Sequence, residues 1–380
     1  MKKLLLLSSI LVVILLSVLL YSLKPVDELN HQAGVNQKLV IWAYSPAFIE
    51  LAKEYQKEHD NIEIVTRLVE NPQTLLEELN VAASAGNPPQ LAEIPSYYGI
   101  YPFIQSDSIK NVDEYFSAEM KEDSVGSIIK RFMYHDQLWA IPLGYQIPLL
   151  YMNDTILSPY HEQSTSISFD ELLNVSRKMK NKGVWGLRAD PLYPWYISNF
   201  LKDESLDLPQ LRESVWGKAR IEDGLFPPYT SHLAITEFVN GKGGMLLSTS
   251  KNLFLIEKQI GSKFKWSTSQ LPIDNKNLIP NGSGIAVFKQ TPALDGIEKP
   301  FLAYLLADEN LKSLAIKETF IPAYQHLIHN NDYVKYYRQF PGYQQAIMNS
   351  LQAAGQEISP DDEQVWKTLE ETDKKLTENR

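Results

Sequence analysis

The sequence predicts an α/β protein of two lobes joined by a hinge, each lobe a mostly parallel sheet flanked by helices. Strand and helix patterns alternate from residue 38 to residue 94, and a second series follows residue 149. A stiff apolar segment, residues 141–153, separates the two series. Alternation of strand, helix and strand implies parallel strands with helices on the sheet faces. The separating segment therefore predicts a hinge with a ligand cleft beside it.

The first series begins with an apolar strand at residues 38–44. Ser45 then suits a helix N-cap, and Pro46 suits the first helical position. After a strand at residues 62–65, Asn71 and Pro72 repeat this start signal. Gly86 is predicted to end the second helix, and Asn87-Pro88-Pro89 prevents its continuation. A third strand is predicted at residues 90–94.

The second series carries a capping box, Ser168-Phe169-Asp170-Glu171, in which serine and glutamate satisfy each other's free backbone N–H groups. Ser231 and Pro300 mark two further helix starts. The remaining strands are predicted from short apolar runs at residues 149–152, 185–187, 245–247, 264–267 and 284–288. The carboxyl end is predicted to be helical, with Trp366 and Leu369 on its buried face.

The hinge segment has two apolar halves without helical spacing, and each half contains a proline, Pro142 or Pro148. Proline lacks the backbone N–H that a central strand needs. The segment is therefore predicted to be a stiff crossing rather than a sheet interior.

The composition of the chain excludes or disfavours several classes of protein. The chain has 380 residues, 44% of them hydrophobic, and a net charge of −10. It is therefore a folded globular protein, and nucleic-acid binding is disfavoured. The absence of cysteine excludes disulfides and thiolate chemistry. His326 and His329 lack further metal ligands, and no catalytic or cofactor motif is found, so no enzyme, metal or cofactor is predicted.

The amino terminus predicts export. Lys2 and Lys3 precede an apolar run at residues 4–23, whose length is close to the ~20 residues that span a bilayer. Residues 1–23 are interpreted as a signal or an uncleaved membrane anchor, and residues 24–37 as a linker. Lobe 1 is then residues 38–144 plus 285–325, and lobe 2 is residues 145–284 plus 326–380.

Candidate ligand contacts come from the carboxyl ends of the strands, where open α/β sheets bind ligands. These ends carry aromatic and hydroxyl side chains, which suit a sugar ring because its C–H face stacks and its rim forms hydrogen bonds. The residues at strand ends, in the hinge or in irregular aromatic segments are Tyr44, Ser96, Tyr97, Tyr145, Gln146, Trp195, Ser250 and Gly284.

The order of these segments resembles the family 1 extracellular solute-binding proteins of bacterial ABC importers, over residues 38–330. The matching pieces include Val40-Ile41-Trp42, Gly86-Asn87-Pro88-Pro89, Leu138-Trp139-Ala140-Ile141-Pro142, Pro148-Leu149-Leu150-Tyr151-Met152-Asn153, Asn240-Gly241-Lys242-Gly243-Gly244-Met245 and Phe320-Ile321-Pro322. The resemblance implies a two-lobed periplasmic-binding-protein fold of type II. It also implies a Trp195 loop that presents a ligand-stacking tryptophan, and it adds Phe320 to the ligand contacts.

Within this family the chain is most similar to the glycerol-3-phosphate receptors, but it departs from them at several binding positions. Pro72 stands where the receptors have a tyrosine, Ser96 where they have a glutamate, and Phe320 where they have a tyrosine. Their late phosphate-binding arginine has no counterpart near residues 354–357. Since a phosphate favours a fixed guanidinium, the predicted ligand is a sugar or polyol rather than glycerol phosphate.

Three functions remain open at this level. The first is a monomeric ABC-importer receptor that hands a small polar solute to permease subunits in the periplasm or at the outer membrane face. The second is a membrane-anchored sensory or regulatory ectodomain of the same fold, which the long apolar run at residues 4–23 favours. The third, an exported hydrolase, needs a catalytic site that the sequence does not show.

Overall fold

The fold is described from a computed structural model. The described residues are 37–97, 99–160, 167–180, 184–190, 193–200, 208–214, 217–218, 233–271, 278–290 and 296–378. The predicted signal or anchor at residues 1–23, the linker up to residue 36 and the helix start at Ser231 lie outside them. None of the helices in the described ranges is long and apolar enough to cross a membrane.

Twelve strands are present in the described ranges. They are β1 (Gln37–Ala43), β2 (Ile62–Leu68), β3 (Leu91–Pro95), β4 (Met133–Tyr134), β5 (Gln137–Leu138), β6 (Ile141–Gln146), β7 (Pro148–Asn153), β8 (Trp185–Ala189), β9 (Gly243–Thr249), β10 (Trp266–Gln270), β11 (Asn281–Val287) and β12 (Ile321–Pro322).

The α-helices of the same ranges lie mainly on the faces of the sheets. They are α1 (Pro46–Glu58), α2 (Pro72–Ser84), α3 (Tyr101–Gln105), α4 (Ala118–Asp123), α5 (Gly126–Ile129), α6 (Asp154–Leu157), α7 (Phe169–Lys180), α8 (Tyr193–Phe200), α9 (Leu208–Glu213), α10 (Ala234–Val239), α11 (Leu253–Ile260), α12 (Glu298–Leu305), α13 (Asp308–Glu318), α14 (Gln325–Ile328), α15 (Asn331–Tyr337), α16 (Pro341–Gln352) and α17 (Asp362–Glu378).

Two larger sheets organise the molecule. The first has the order β12-β6-β11-β3-β1-β2, and the second has the order β10-β7-β9-β8. Only Ile147 separates β6 in the first sheet from β7 in the second. The chain returns between Gln270, which ends β10, and Asn281, which begins β11. The predicted crossing between two lobes is therefore confirmed.

The sheets are mixed, and the prediction of mostly parallel strands is wrong in this detail. Among the strands of the described ranges, parallel pairing is limited to β1 with its neighbours β2 and β3, and to β8 with β9. The crossing strands account for the difference. Because β6 leaves the first sheet and β11 re-enters it, these two strands pair antiparallel, as do β7 and β10 in the second sheet.

The prolines of the crossing are accommodated in two ways. Pro148 is the first residue of β7, a position at which a strand tolerates a residue that has no backbone N–H. Pro142 lies in β6, between β11 and β12, and this interior position was not predicted. The β6–β11 register shifts between Ser283 and Gly284, the residue opposite Pro142. The irregularity accommodates a residue that has no N–H to donate.

The local start and stop signals at Asn71, Gly86 and Ser168 behave as predicted. Asn71 caps α2 by accepting a hydrogen bond from the backbone N–H of Thr74 at 2.9 Å. Gly86 follows the end of α2 with a φ of +70°, a conformation that glycine adopts without a side-chain clash. Ser168 similarly caps α7 through the N–H of Glu171.

Boundaries in the second series are less well predicted. The run at residues 264–267 becomes β10 only from Trp266 onwards. Helix α12 begins at Glu298, so Pro300 lies in its first turn rather than at its start. The chain changes from the first sheet to the second at Ile147, and it changes back between Gln270 and Asn281. The predicted lobe boundaries, between residues 144 and 145 and between residues 284 and 285, stay a prediction.

Helices bury both faces of the second sheet. One face, with Tyr151 and Leu246, packs in the main apolar core together with residues of α10, α11 and α16. The opposite face, with Leu150 and Leu247, packs in a second core with Trp195 and with Leu369 of α17. The predicted burial of Leu369 is confirmed, and Trp366 is partly buried against the same core.

Candidate functional site

A buried polar cluster lies at one edge of the first sheet, where β1 and β3 end and β11 begins. These ends meet because β1 is parallel to β3 and β11 is antiparallel to it. The centre of the cluster is the carboxylate of Glu93, which is fully buried on β3. A buried charge needs several donors to offset its lost hydration.

The Glu93 carboxylate accepts hydrogen bonds from four donors, which belong to residues 44–45 and to Ser283. The backbone N–H groups of Tyr44 and Ser45 donate to Oε2 at 3.0 and 2.8 Å. The hydroxyls of Ser45 and Ser283 each donate to Oε1 at 2.5 Å. One carboxylate thus joins the end of β1, the middle of β3 and the start of β11.

The Ser45 side chain differs from its predicted role. Ser45 occupies the N-cap of α1 in extended conformation, with Pro46 following, but its side chain makes no capping bond. Its hydroxyl binds Glu93 instead. The start of α1 is held by a second acid, because Glu318 Oε1 accepts from the N–H of Ala47 at 2.8 Å. Two distant carboxylates therefore satisfy donors at the positive end of the helix.

Burial and neighbouring charges shift the pKa values of two side chains in this cluster, Glu93 and Tyr44. Burial raises the pKa of Glu93, while the hydrogen bonds from Ser283 and Ser45 and the charge of Lys251 oppose that rise. Burial, followed by the neighbouring Glu93 charge, raises the pKa of the Tyr44 phenol well above its usual value. Tyr44 consequently stays protonated at neutral pH and retains a hydroxyl that can donate.

Lys251 reaches the cluster from the second sheet. It lies in the short turn that follows β9, and its Nζ is 3.3 Å from Oε2 of Glu318. The same ammonium lies 4.8 Å from the centroid of the Phe320 ring, which is a cation–π contact. The lysine side chain is 36% exposed. This contact bridges the two sheets beside the buried carboxylate.

Ser250 fixes this turn to the crossing residue. Its N–H donates to the carbonyl of Ile147 at 2.8 Å, and its hydroxyl accepts from the N–H of Ile147 at 3.1 Å. Gln146, at the end of β6, is half-buried beside this junction. Ser250, Gln146 and Lys251 thus lie close to the hinge.

The second sheet has a buried acid of its own. Asp190, which follows β8, accepts from the hydroxyl of Tyr196 at 2.7 Å and from that of Ser248 at 2.6 Å. The amide of Asn252 donates to the Ser248 hydroxyl at 2.9 Å. Both sheets therefore carry a carboxylate-centred network near their strand ends.

Ser96 and Tyr97 lie just beyond β3. The Ser96 hydroxyl accepts from the N–H of Gly282 at 2.6 Å, and its carbonyl accepts from two guanidinium nitrogens of Arg131. Tyr97 is half-buried and stacks on Trp366, with the ring centroids 4.6 Å apart. Tyr97 is thus within reach of solvent beside the cluster.

Trp195 lies in helix α8 rather than in the predicted rigid loop, and its ring is buried. It is 1% exposed, and its indole N–H donates to the carbonyl of Ile279 at 2.7 Å. Because Ile279 lies in the return segment, this bond joins α8 to the second connection between the sheets. The predicted ligand contact of Trp195 remains a prediction.

Three other candidates are buried in this conformation. The Tyr145 hydroxyl lies 2.9 Å from that of Ser350, inside the core. Gly284 is packed tightly, since an added Cβ would lie 2.8 Å from the Phe132 ring. Phe320 is 4% exposed beneath Lys251. Their ligand contacts also remain predictions.

Sequence reasoning missed four charged residues of the two networks, namely Glu93, Asp190, Lys251 and Glu318. A signal existed for Glu93, because it is the one charged residue in an otherwise apolar third strand. A charge in such a strand needs a compensating site. Glu318 and Lys251 are 67 positions apart, so their pairing had no local signal.

The protein has two sheets that are flanked by helices and joined by crossing strands, with polar networks near the strand ends. This is the architecture of a two-lobed ligand-binding protein whose lobes close by bending at a hinge. A family model described as "Bacterial extracellular solute-binding protein" matches residues 50–340. The chain therefore belongs to the family of bacterial extracellular solute-binding proteins, and the predicted family resemblance is confirmed.

A curated relative agrees with this family. It is an uncharacterized ABC transporter extracellular-binding protein of Pyrococcus horikoshii, 26% identical over 145 residues. The match covers 36% of this chain and 32% of that protein, so it spans about a third of the relative's length.

Solved structures share the fold over nearly the whole chain. UgpB of Mycobacterium tuberculosis, in complex with glycerophosphocholine, is similar at a TM-score of 0.71 and 16% identity, covering 89% of this chain and 97% of that one. The sugar-binding protein MalE of Xanthomonas citri has the same score and identity, with 90% and 93% covered. The maltose/maltodextrin-binding domain MalE of Bdellovibrio bacteriovorus, bound to maltotriose, scores 0.68 at 17% identity, with 89% and 94% covered. At these identities the likeness concerns the fold.

Proposed function

We propose that this protein is the substrate-binding component of an ABC importer, which captures a sugar- or polyol-like solute between its two sheets. The observation that carries the proposal is the meeting of groups from both sheets at Glu93, Glu318 and Lys251, beside the crossing at Ile147. Bending at the crossing would bring these groups together or part them. The protein binds its solute without chemical change and passes it to permease subunits.

The family and the relatives support this role over that of a sensory ectodomain. The Pyrococcus relative carries the name of an ABC transporter binding protein. Two of the similar structures are named as sugar- or maltodextrin-binding proteins, and the third was solved with glycerophosphocholine. The apolar run at residues 4–23, which favours the sensory alternative, lies outside the described residues.

The proposed contacts divide by accessibility. Tyr44, Tyr97 and Gln146 are partly exposed, and we place them against the solute in the present conformation. Ser96, Tyr145, Trp195, Ser250, Gly284 and Phe320 are buried, and we expect a solute to reach any of them only through hinge opening. Lys251 joins the set because it lies between Phe320 and Glu318.

Local charge supports a neutral solute. The ammonium of Lys251 is offset by the carboxylate of Glu318 at 3.3 Å. The charge of Lys251 also acts on Glu93, whose pKa it lowers against the effect of burial. The guanidinium of Arg131 is already bound to the Ser96 carbonyl and to Asp362 at 3.1 Å. A phosphate needs uncompensated donors of this kind, whereas sugar hydroxyls can both donate to carboxylates and accept from lysine.

We place the protein outside the cytoplasm, in the periplasm or on the outer face of the membrane, with residues 4–23 as the export signal or anchor. We expect a monomer that contacts its permease only when delivering solute. Permease genes beside the coding gene would agree with this role, whereas a histidine-kinase gene there would favour the sensory ectodomain.

Ligand-dependent thermal stability tests the proposal directly. The purified full-length protein is titrated with neutral mono- and oligosaccharides, polyols and glycerol phosphates. A true ligand at a hundred times its dissociation constant stabilises the fold by about 2.7 kcal/mol, which raises the melting temperature by several degrees. Silence across the neutral panel, or a response to glycerol phosphates alone, would contradict a sugar- or polyol-like ligand.

A further inference from the structure

A histidine side chain lies between two carboxylates at the surface beside the first sheet. His326 of α14 has its Nδ1 within hydrogen-bond distance of Asp123 Oδ2, and its Nε2 is 3.1 Å from Asp308 Oδ1. The backbone N–H of His326 also donates to Oδ1 of Asp123, at 3.2 Å. Asp123 ends α4 and Asp308 begins α13, so one imidazole joins three helices. We call these three residues the His326 clip.

The geometry of the His326 clip requires a charged imidazolium. An ionised carboxylate only accepts hydrogen bonds, whereas a neutral imidazole has one N–H and one lone pair. A neutral His326 would therefore donate to one aspartate and direct its lone pair at the other. Only the imidazolium donates to both carboxylates, so the clip is complete only when both ring nitrogens carry a proton.

The charged groups that act on His326 are Asp123 of α4 and Asp308 of α13. Partial burial lowers the pKa of His326, but the hydrogen bonds and charges of the two aspartates outweigh this effect and raise the pKa above its ordinary value. The Tyr324 ring also lies near, with its centroid 6.4 Å from that of the imidazole. Burial, together with the charge of Asp123, raises the pKa of the Tyr324 phenol, so this neighbour stays uncharged.

The clip joins the two ends of a stretch that carries two residues of the candidate site. Asp308 and His326 enclose α13 and β12. Glu318 ends α13 and pairs with Lys251, and Phe320 lies beneath the same ammonium. Fastening residues 308 and 326 to one another therefore restrains the segment that presents these two side chains.

The same stretch is attached to the crossing strand. Strand β12 pairs with β6, and the Tyr324 hydroxyl donates to the carbonyl of Pro142 in β6 at 2.8 Å. On the other side, the N–H of Val125 donates to the carbonyl of Ala323 at 2.8 Å, two residues beyond Asp123. Because β12 has only two residues, its position on β6 depends on such flanking contacts.

We propose that the His326 clip is a pH-sensitive device that fastens β12 and its neighbouring helices to the crossing strand in acidic surroundings. When the imidazolium loses a proton, one of its two carboxylate contacts loses its donor and the stretch loosens. Because the folded protein raises the pKa of His326, the stabilisation is fully present below the ordinary value of ~6.5 and is lost as the pH rises through the folded value. The device does not depend on which solute is bound.

The titration of His326 is the first measurement. The full-length protein is prepared with isotope-labelled histidine and followed by NMR from about pH 5 to about pH 9, and the signal that is missing in His326→Gln identifies the residue. We expect a titration midpoint above ~6.5 that falls in Asp308→Asn, which keeps the shape of the side chain but removes its charge. A midpoint at or below ~6.5 would overturn the clip.

Hydrogen exchange measures what the clip fastens. Mass spectrometry compares amide exchange of residues 320–328 in the unmodified protein and in His326→Gln at the same pH, so that the intrinsic effect of pH on exchange cancels. At about pH 5.5 we expect exchange about threefold faster in the variant, a modest effect because the ion pairs are partly exposed, and at about pH 9 we expect equal rates. His329→Gln, at the exposed end of the same helix, is the matched control and should alter neither rate.

The ratio of the two exchange rates separates a proton-dependent clip from ordinary packing. Faster exchange in His326→Gln at the lower pH alone supports the clip. A ratio above one that is the same at both pH values shows that His326 acts by packing, and it overturns the pH-sensitive device. Equal rates at both pH values show that the clip fastens nothing and also overturn it. The proposed transport function stands in every case.

Discussion

The two sheets each place a buried acid near the ends of their strands, but they hold these acids differently. Glu93 of the first sheet binds two backbone N–H groups and two hydroxyls from separate segments. Asp190 of the second sheet binds the hydroxyls of Tyr196 and Ser248. A hydroxyl can rotate towards another acceptor, whereas a backbone N–H cannot. The first network is therefore the more rigid half of the site.

The difference extends to the link between the sheets. Glu318 holds the start of α1 through Ala47 and also pairs with Lys251 of the second sheet. Rigid backbone contacts thus lie on the first side of the hinge, and a flexible lysine reaches across from the second. Because the Lys251 ion pair is partly exposed, it can break at a smaller cost than the buried backbone contacts of the first sheet.

Removing the first acid should have the largest effect. Glu93→Ala leaves two buried backbone N–H groups and two hydroxyls without their acceptor, and each unsatisfied donor costs about 1–3 kcal/mol. We expect a loss of about 4 kcal/mol in the free energy of unfolding, measured with denaturant. Glu63→Ala, on the exposed side of β2, is the control and should change little. A loss of less than 1 kcal/mol would show that the network does not support the first sheet.

Removing the second acid should cost less. Asp190→Ala deprives two hydroxyls of an acceptor, and we expect a loss of about 2 kcal/mol because Ser248 can reorient. The same denaturant measurement applies, with the exposed Asp60→Ala as the control. A loss equal to that of Glu93→Ala would remove the proposed difference in rigidity between the two halves.

Cutting the link between the sheets should have the smallest effect on stability. Lys251→Met removes a partly exposed ion pair, so we expect a loss below about 1 kcal/mol. The expected signature is instead a more open protein, seen as a larger radius of gyration in solution scattering. Lys299→Met is the matched control, because Lys299 contacts Glu114 and the Tyr115 ring within the first lobe. Equal scattering from both variants would argue against Lys251 as a closing contact.

Much of the fold was predictable because its signals are local. Asn71 and Pro72 start α2, and Gly86 ends it, since capping and backbone preferences act within a few residues. The crossing at Ile147 was predictable because two apolar strands with prolines follow each other directly. The mixed strand directions were not, because the partner of β6 lies more than 130 residues away in β11.

The candidate site was predictable only in outline. The strand ends at Tyr44, Ser96 and Ser250 do surround the networks, as the topology of open sheets requires. The sequence predicts that Ser45 caps α1, but its hydroxyl donates to the buried carboxylate of Glu93 instead. Lys251 and Glu318 carry no local pattern at all, and their pairing depends on how the two sheets meet.

Local sequence patterns were enough to predict most helices and strands and the crossing between the sheets, because hydrophobic periodicity, capping residues and proline act over short distances. Which acids are buried, and which donors compensate them, depends on the tertiary fold, which brings Glu93 and Asp190 into contact with distant segments. Burial changes the cost of a charge through its whole surroundings, and those surroundings come from segments far apart in the chain.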